Sequence, residues 1–262
     1  MNSTEGLDVL ATPILNDAPL IRVLCQVRWP RLAKFDLDSV SRALAESVGD
    51  LYPLVDKKHE IEIVMTGEGL QQNPSGEIHL LRSADATWTV SIGDTFLALE
   101  TSTYAGHEDF LDRLGSLLDA LSSNATIPAW QRLGYRYTNR IVGEDDLASL
   151  PNWFSQGALG FDATEVSGLR RAQSVSESIF LDDVVGGRLL LRSAHLPANA
   201  SVDPSLPPVG EASWVLDIDA FDERTVQGFD TRQILAVATQ LSKRGHEVFW
   251  GLVTQEFMER FK

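Results

Sequence analysis

Trp130–Val142 reads WQRLGYRYTNRIV, and the reading of this stretch decides the fold. Leu133, Tyr135, Tyr137, Asn139 and Ile141 alternate with Arg132, Gly134, Arg136, Thr138 and Arg140, the period of a β-strand. One side of that strand is apolar and aromatic. The other carries three arginines in a chain whose formal charge is −15. The stretch lies at mid-chain, and the elements after it repeat the order of those before it.

Before it, Leu20–Trp29 predicts a strand with Ile21, Val23, Cys25, Val27 and Trp29 on one face and Arg22, Leu24, Gln26 and Arg28 on the other; Pro30 closes it. A helix follows, capped by Asp36 or Asp38, with Leu37, Val40, Leu44, Val48 and Leu51 at helical spacing. Four strands are expected at 59–66, 77–83, 87–92 and 95–102, with a turn-rich loop at 67–76 and a tight Gly93-Asp94 connection. A helix from Gly106 to Ser122 sets Phe110, Leu114, Leu117, Leu118 and Leu121 on one stripe.

After it, a helix starts near Glu144 and is shortened or broken by Pro151. Strands are expected at 163–171, 173–182, 187–194 and 213–220, with a Pro-rich loop at 196–211 and a closing helix from Thr231 to Phe257. The expected fold is α+β: an irregular lead-in over 1–18, a first half over 19–128 and a second over 129–262. Each half is a strand, a helix, four strands and a helix, forming one extended antiparallel sheet with helices on one face. Arg22 and Arg132 are 110 residues apart, as are Arg82 and Arg192, an offset that suggests internal duplication. The first strands of the halves are then expected side by side, bringing their arginines to one surface.

Composition excludes several classes of function. With 37 acidic against 22 basic side chains and a pI of about 4.7, non-specific nucleic-acid binding is unfavourable. One cysteine, Cys25, allows neither an internal disulfide nor a thiolate metal cluster. The amino end lacks a signal-peptide pattern and no apolar run spans a membrane, so a cytoplasmic protein without membrane contact is expected.

RLGYRYTNRI (132–141), with IRVLCQVRWP (21–30), STYAGHEDFLDRLGSLL (102–118) and HEVFWGLVTQEFMERF (246–261), resembles a sporadically distributed prokaryotic family of uncharacterised function, marked by an R-x-G-x-R-Y-x-N-R-I strand. Tyr135 stands where the family pattern implies an aliphatic residue. The order of elements in each half is similar to TATA-box-binding-like and helix-grip halves. That likeness implies fold alone, and the acidic charge argues against carrying DNA binding over.

Catalytic signals are weak. His59, His79, His107, His195 and His246 fall in separate elements, so no metal ligand set is named and no bound transition metal or other cofactor is expected. His107-Glu108-Asp109 reads as the acidic first turn of a helix. Asp217 and Asp219 share a strand face, as Mg²⁺-holding carboxylates do, but lack a phosphate loop or third carboxylate; the plainer reading is a polar face opposite Trp214, Leu216 and Ile218. Cys25 reads as a buried inert thiol, and Trp29 as core or, beside Pro30, a surface marker.

Ten of the seventeen arginines fall on expected strands: Arg22, Arg28, Arg82, Arg132, Arg136, Arg140, Arg170, Arg171, Arg188 and Arg192. They either pair with Glu62, Glu100, Asp217 and Asp219 across the sheet or form an anion- or partner-binding face, with Arg22, Arg28, Arg132, Arg136, Arg140 and Arg192 as the candidate residues. Arg132 to Arg140 spans about 27 Å at roughly 3.3 Å per residue, which suits an extended acidic protein partner better than a metabolite. On that reading Arg136→Glu is expected to abolish partner binding and spare the melting temperature. Three functions stay open: a non-enzymatic binding or regulatory protein of the antitoxin, immunity or phage-defence kind; a small-ligand binder with a cavity between sheet and C-terminal helix; and an enzyme with a site of scattered residues.

Overall fold

The computed structural model describes the backbone of Leu15 and of residues 17–66, 69–164, 166–169 and 171–262, and the side chains of all of these save 60–75. Residues 1–14 and 16 of the expected lead-in, Gly67 and Glu68 of the expected loop, the Glu62 side chain and Arg170 lie outside this description.

In the first half the chain runs through β1 (Leu20–Arg28), α1 (Leu37–Val48), β2 (Leu54–Thr66), β3 (Gly69–Arg82), β4 (Trp88–Gly93), β5 (Phe96–Thr101) and α2 (His107–Asn124). The second half has β6 (Ala129–Trp130), β7 (Arg132–Val142) and three short helices, α3 (Glu144–Ala148), α4 (Leu150–Trp153) and α5 (Gln156–Leu159), then a 3₁₀ turn at Gly160–Ala163. It ends with β8 (Ser174–Asp182), β9 (Gly187–Leu196), β10 (Ser213–Asp222), β11 (Val226–Gln227), α6 (Thr231–Leu252) and α7 (Gln255–Phe261).

Nine strands form one antiparallel sheet in the order β2-β3-β4-β5-β1-β7-β10-β9-β8. β1 and β7 are neighbours, as the sequence leads one to expect, with Cys25 opposite Tyr135 and Arg28 opposite Arg132. The alternation read in β1, β7 and β10 is real. Val23, Cys25, Val27, Leu133, Tyr135, Tyr137, Trp214, Leu216 and Ile218 are buried together beneath the helices. Burial pushes the Cys25 thiol far up, away from ionisation. Trp29 is fully buried too and donates its indole N–H to the Asp94 carbonyl at 3.0 Å, so it is core and marks no surface.

The helix stripes dock on that face. Phe110, Leu114, Leu117, Leu118 and Leu121 of α2 are all buried. At about 1.5–3 kcal/mol per large apolar side chain, this stripe is the helix's main source of stability. Phe110 stacks on Tyr135 at a centroid distance of 5.2 Å. Tyr137 reaches Ser242 of α6, with the two hydroxyl oxygens 2.8 Å apart. The helix approaches closely there because Gly245 has no side chain; a Cβ would stand 2.9 Å from the Tyr137 ring.

Four expectations need correction. Residues 69–76 are not loop: β3 starts at Gly69 and pairs with β2, which itself begins at Leu54, and Pro74 sits at the register shift beside Glu60/Ile61, where a missing N–H is tolerated. Among the described residues of the strand expected at 163–171, Ala163 closes a 3₁₀ turn and the others are irregular, and Arg171 is not on a strand. The closing helix breaks at Val253–Thr254, where Thr254 caps α7 by accepting from the Phe257 N–H and donates its hydroxyl to the Asn152 carbonyl. Finally, counted outward from the β1–β7 seam, Arg82 lies in the fourth strand (β3) and Arg192 in the third (β9). These two arginines are therefore not structural equivalents, and their shared offset does not support duplication.

Candidate functional site

The structure brings the six candidate arginines to the sheet face opposite the helices, where most are already partnered. Arg136 is clamped by Asp217 through two hydrogen bonds of 2.6 Å and reaches Asp203 at 2.9 Å. Arg132 binds Asp219 at 2.8 Å and lies over the Phe221 ring. Arg192 binds Glu177 at 2.7 Å and approaches Asp217 at 3.9 Å. Arg22 binds Asp203 at 3.0 Å and donates to Ser205. Arg140 donates to the Pro207 carbonyl at 2.9 Å, and Arg28 lies over the Phe96 ring. Of the two readings left open, cross-strand pairing with Asp217 and Asp219 holds for Arg136 and Arg132, while Arg140 is held by the Pro207 carbonyl.

The partners come partly from a strap, residues 197–212, that crosses this face. Asn199 donates to the Val209 carbonyl at 2.7 Å, closing a loop around a turn in which Leu206 N–H donates to Asp203 O. Ala200 and Val202 pack on Ala194, Leu196 and Val215, a small second apolar cluster. Asp203 is the strap's anchor. Burial acts to raise its carboxyl, but hydrogen bonds from Ser205 and the charges of Arg136 and Arg22 outweigh this and hold it well below the usual carboxylate range. Asp219 goes the other way, since burial raises it despite Arg132 and Arg136. Burial, with Arg22 beside it, lowers Arg140. Beneath the strap the Nε atoms of Arg22 and Arg140 find no acceptor among the described residues. Asp217 and Asp219 are thus committed to arginines, which leaves no open carboxylate pair for Mg²⁺.

On the helix side, near the β2 end of the sheet, sequence reasoning missed a second cluster. Phe35, Asp36, Leu37, Asp38, Glu77 and His79 line a cleft of about 380 Å³. Asp36 caps α1 by accepting from Ser39 N–H at 3.1 Å, which fixes the first turn and puts Asp38 over β3. Glu77 and His79 are two apart on β3 and share its helix-side face. His79 is buried, with Nε2 2.8 Å from Glu77 and 3.5 Å from Asp38. Lys57, opposite His79 on β2, places its ammonium between Asp38, at 3.1 Å, and Glu77, at 2.5 Å. Hydrogen bonds from Lys57 and then His79 lower Glu77, and the two carboxylates raise Lys57. A visible signal was the Glu77/His79 alternation; what completes the set is Asp38, brought in by a helix with no spacing relation to β3.

His107 opens α2 as expected, with Glu108 and Asp109 in its first turn, and Asp109 pairs with Arg113. Compared with protein-family models and with curated proteins, the sequence matches none. Among the described residues, no helix is long and apolar enough to cross a membrane.

Proposed function

We propose that the chain is a non-enzymatic binding protein that engages a protein partner along β8 and the adjoining arginine-bearing face. One observation carries this reading. Among the described residues β8 ends the sheet with an unpaired edge, and Ile179, Phe180 and Leu181 on it are 57%, 49% and 75% exposed. Edge strands that avoid association carry charge, as β2 does at the opposite edge with exposed Asp56, Lys57, Lys58 and His59. β8 instead offers apolar side chains on both faces, continued by exposed Phe161 and Leu169. An extended partner segment would add a tenth strand through main-chain hydrogen bonds. Arg192 and the half-exposed Arg188, whose pair with Glu223 is solvent-screened, stand beside it to receive acidic side chains.

This reading keeps the expected class, a regulatory binder of the antitoxin or immunity kind, and moves its docking surface from the strap-covered centre of the sheet to its edge. We also read the order of strands outward from the seam, first then last then next-to-last in each half, as the trace of a duplicated helix-grip-like unit, with β2 added at one edge. A ligand cavity between sheet and C-terminal helix is disfavoured by the contact of Gly245 with Tyr137.

The test is a partner purified on the wild-type chain and then measured against Ile179→Lys/Leu181→Lys. The double variant is expected to lose at least about tenfold in affinity, roughly 1.4 kcal/mol, with folding stability changed by less than about 0.5 kcal/mol. Hydrogen exchange at 174–182 is expected to slow in the complex. Unchanged affinity with unprotected β8 amides would refute the docking edge.

A further inference from the structure

We infer that Asp38, Glu77 and His79 form a site for one divalent transition-metal ion, zinc being the best match, with Lys57 as a tethered cation that fills the site when the ion is away. The inference is independent of the partner edge, which lies at the other end of the sheet. One ligand atom from each of the three side chains falls within 4.8 Å of the others. Donors bound to one ion at about 2.0–2.2 Å are roughly 3–4 Å apart, so a small inward turn of the exposed Asp38 carboxylate completes the set. The other two donors, Glu77 and His79, are two apart on β3 and project from one face of it, and His79 is only 4% exposed.

The donor chemistry selects the ion. An imidazole with two carboxylates suits zinc, manganese or iron(II), whereas magnesium and calcium favour all-oxygen sets. As a ligand, His79 Nε2 carries no proton, so ion binding places the ring proton on Nδ1. Three protein ligands leave at least one position open, and that position faces a cleft of about 380 Å³, room for several waters or a small anionic ligand.

Lys57 places a positive charge beside both carboxylates when no ion is bound. Its ammonium sits where a cation is favoured, and its side chain is 52% exposed on a flexible stem, so it can withdraw to water at little cost. A metal ion and Lys57 compete for the same two carboxylates, and that competition distinguishes a metal site from a structural ion-pair cluster.

The experiment is calorimetric titration of the metal-free full chain with ZnCl₂, MnCl₂ and MgCl₂, with cobalt absorption as a report of nitrogen ligation. One zinc per chain is expected, with little response to magnesium. Lys57→Met is expected to tighten zinc about tenfold and Asp38→Asn, at an exposed position, to weaken it about tenfold, both with unchanged circular dichroism. His79→Gln is expected to remove the cobalt spectrum. No zinc binding by either the wild type or Lys57→Met would overturn the inference. So would zinc binding that Asp38→Asn and His79→Gln leave untouched, or magnesium bound as tightly as zinc.

Discussion

Two clusters of cations and carboxylates sit on opposite faces of the same sheet, and they differ mainly in burial. Under the strap, Arg136 meets Asp217, whose side chain is 3% exposed, and Asp203; at the cleft, Lys57 meets Asp38, whose side chain is 70% exposed, and Glu77. A planar guanidinium held by two carboxylates away from water cannot exchange partners without leaving a bare buried charge. A lysine on the surface can. The same pairing of opposite charges therefore fastens a loop in one place and leaves a vacancy available to a competing cation in the other.

The largest effect that would break this contrast is at Arg136. Charge reversal, Arg136→Glu, faces a new carboxylate with Asp217 and Asp203 and is expected to cost about 3–5 kcal/mol or more in urea unfolding. This reverses the expectation drawn from sequence that the melting temperature is spared. Arg136→Met combined with Asp217→Leu, which removes both charges, is expected to recover much of the loss. If Arg136→Glu unfolds at the wild-type urea concentration, the buried clamp is not a stabilising element.

Asp203→Asn comes next. It strips Arg22 of its carboxylate and weakens one contact of Arg136, for about 1–3 kcal/mol, and hydrogen exchange over 197–209 is expected to quicken while β7 stays protected. Equal acceleration in β7 and strap would mean that the strap is not a separate unit.

Acid tests the same anchor by titration. Asp203 has a folded pKa below its unfolded value near 3.9, so its contribution is fully present above about pH 4 and is lost as pH falls towards the folded value. Asp219 works in the opposite sense. Its folded pKa is raised, so its ionisation costs stability as pH rises towards neutrality, and protonation on acidification relieves that cost. Strap amides are thus expected to lose protection below pH 4, ahead of the seam strands. Strap protection independent of pH between 5 and 3 would rule Asp203 out as the fastening.

The smallest effect is expected at the cleft. Lys57→Met in metal-free buffer is expected to move stability by no more than about 0.5 kcal/mol, because exposed ion pairs contribute little. A cost of several kcal/mol would erase the difference between the two clusters.

How much of this was legible follows from the range of the interactions involved. The α2 stripe and the alternation of β1, β7 and β10 are local periodicities, and the structure has them where the residues put them. The seam between β1 and β7 could be expected from their place at the start of each half. The strap could not. Residues 196–211 carry no periodicity, and Asp203 fastens them to the sheet through Arg22 and Arg136, both far away in sequence. The break at Thr254 escaped notice because no Pro follows Gly251 to mark it and apolar residues continue through Val253; the cap depends on α4 lying alongside. Arg132 and Arg136 were singled out with Asp217 and Asp219 as possible partners, but not which binds which: Asp219 lies directly opposite Arg136, and the bonds run diagonally, Arg136 to Asp217 and Arg132 to Asp219. Asp38, Glu77 and His79 share a site only once α1 folds over β3.

The seam also constrains how the chain can be made. β1 has β5 on one side and β7 on the other, so until residues beyond 131 have emerged from a ribosome it has only one of these two neighbours. A half-finished sheet at that stage exposes the β1 edge, with Val23, Cys25 and Val27 beside it, as a template for wrong pairing. Closure waits for Arg132–Val142 to arrive, and β10 must follow to cover β7 in turn. Slow translation through the second half is therefore expected to lengthen the interval in which nascent chains can join edge to edge.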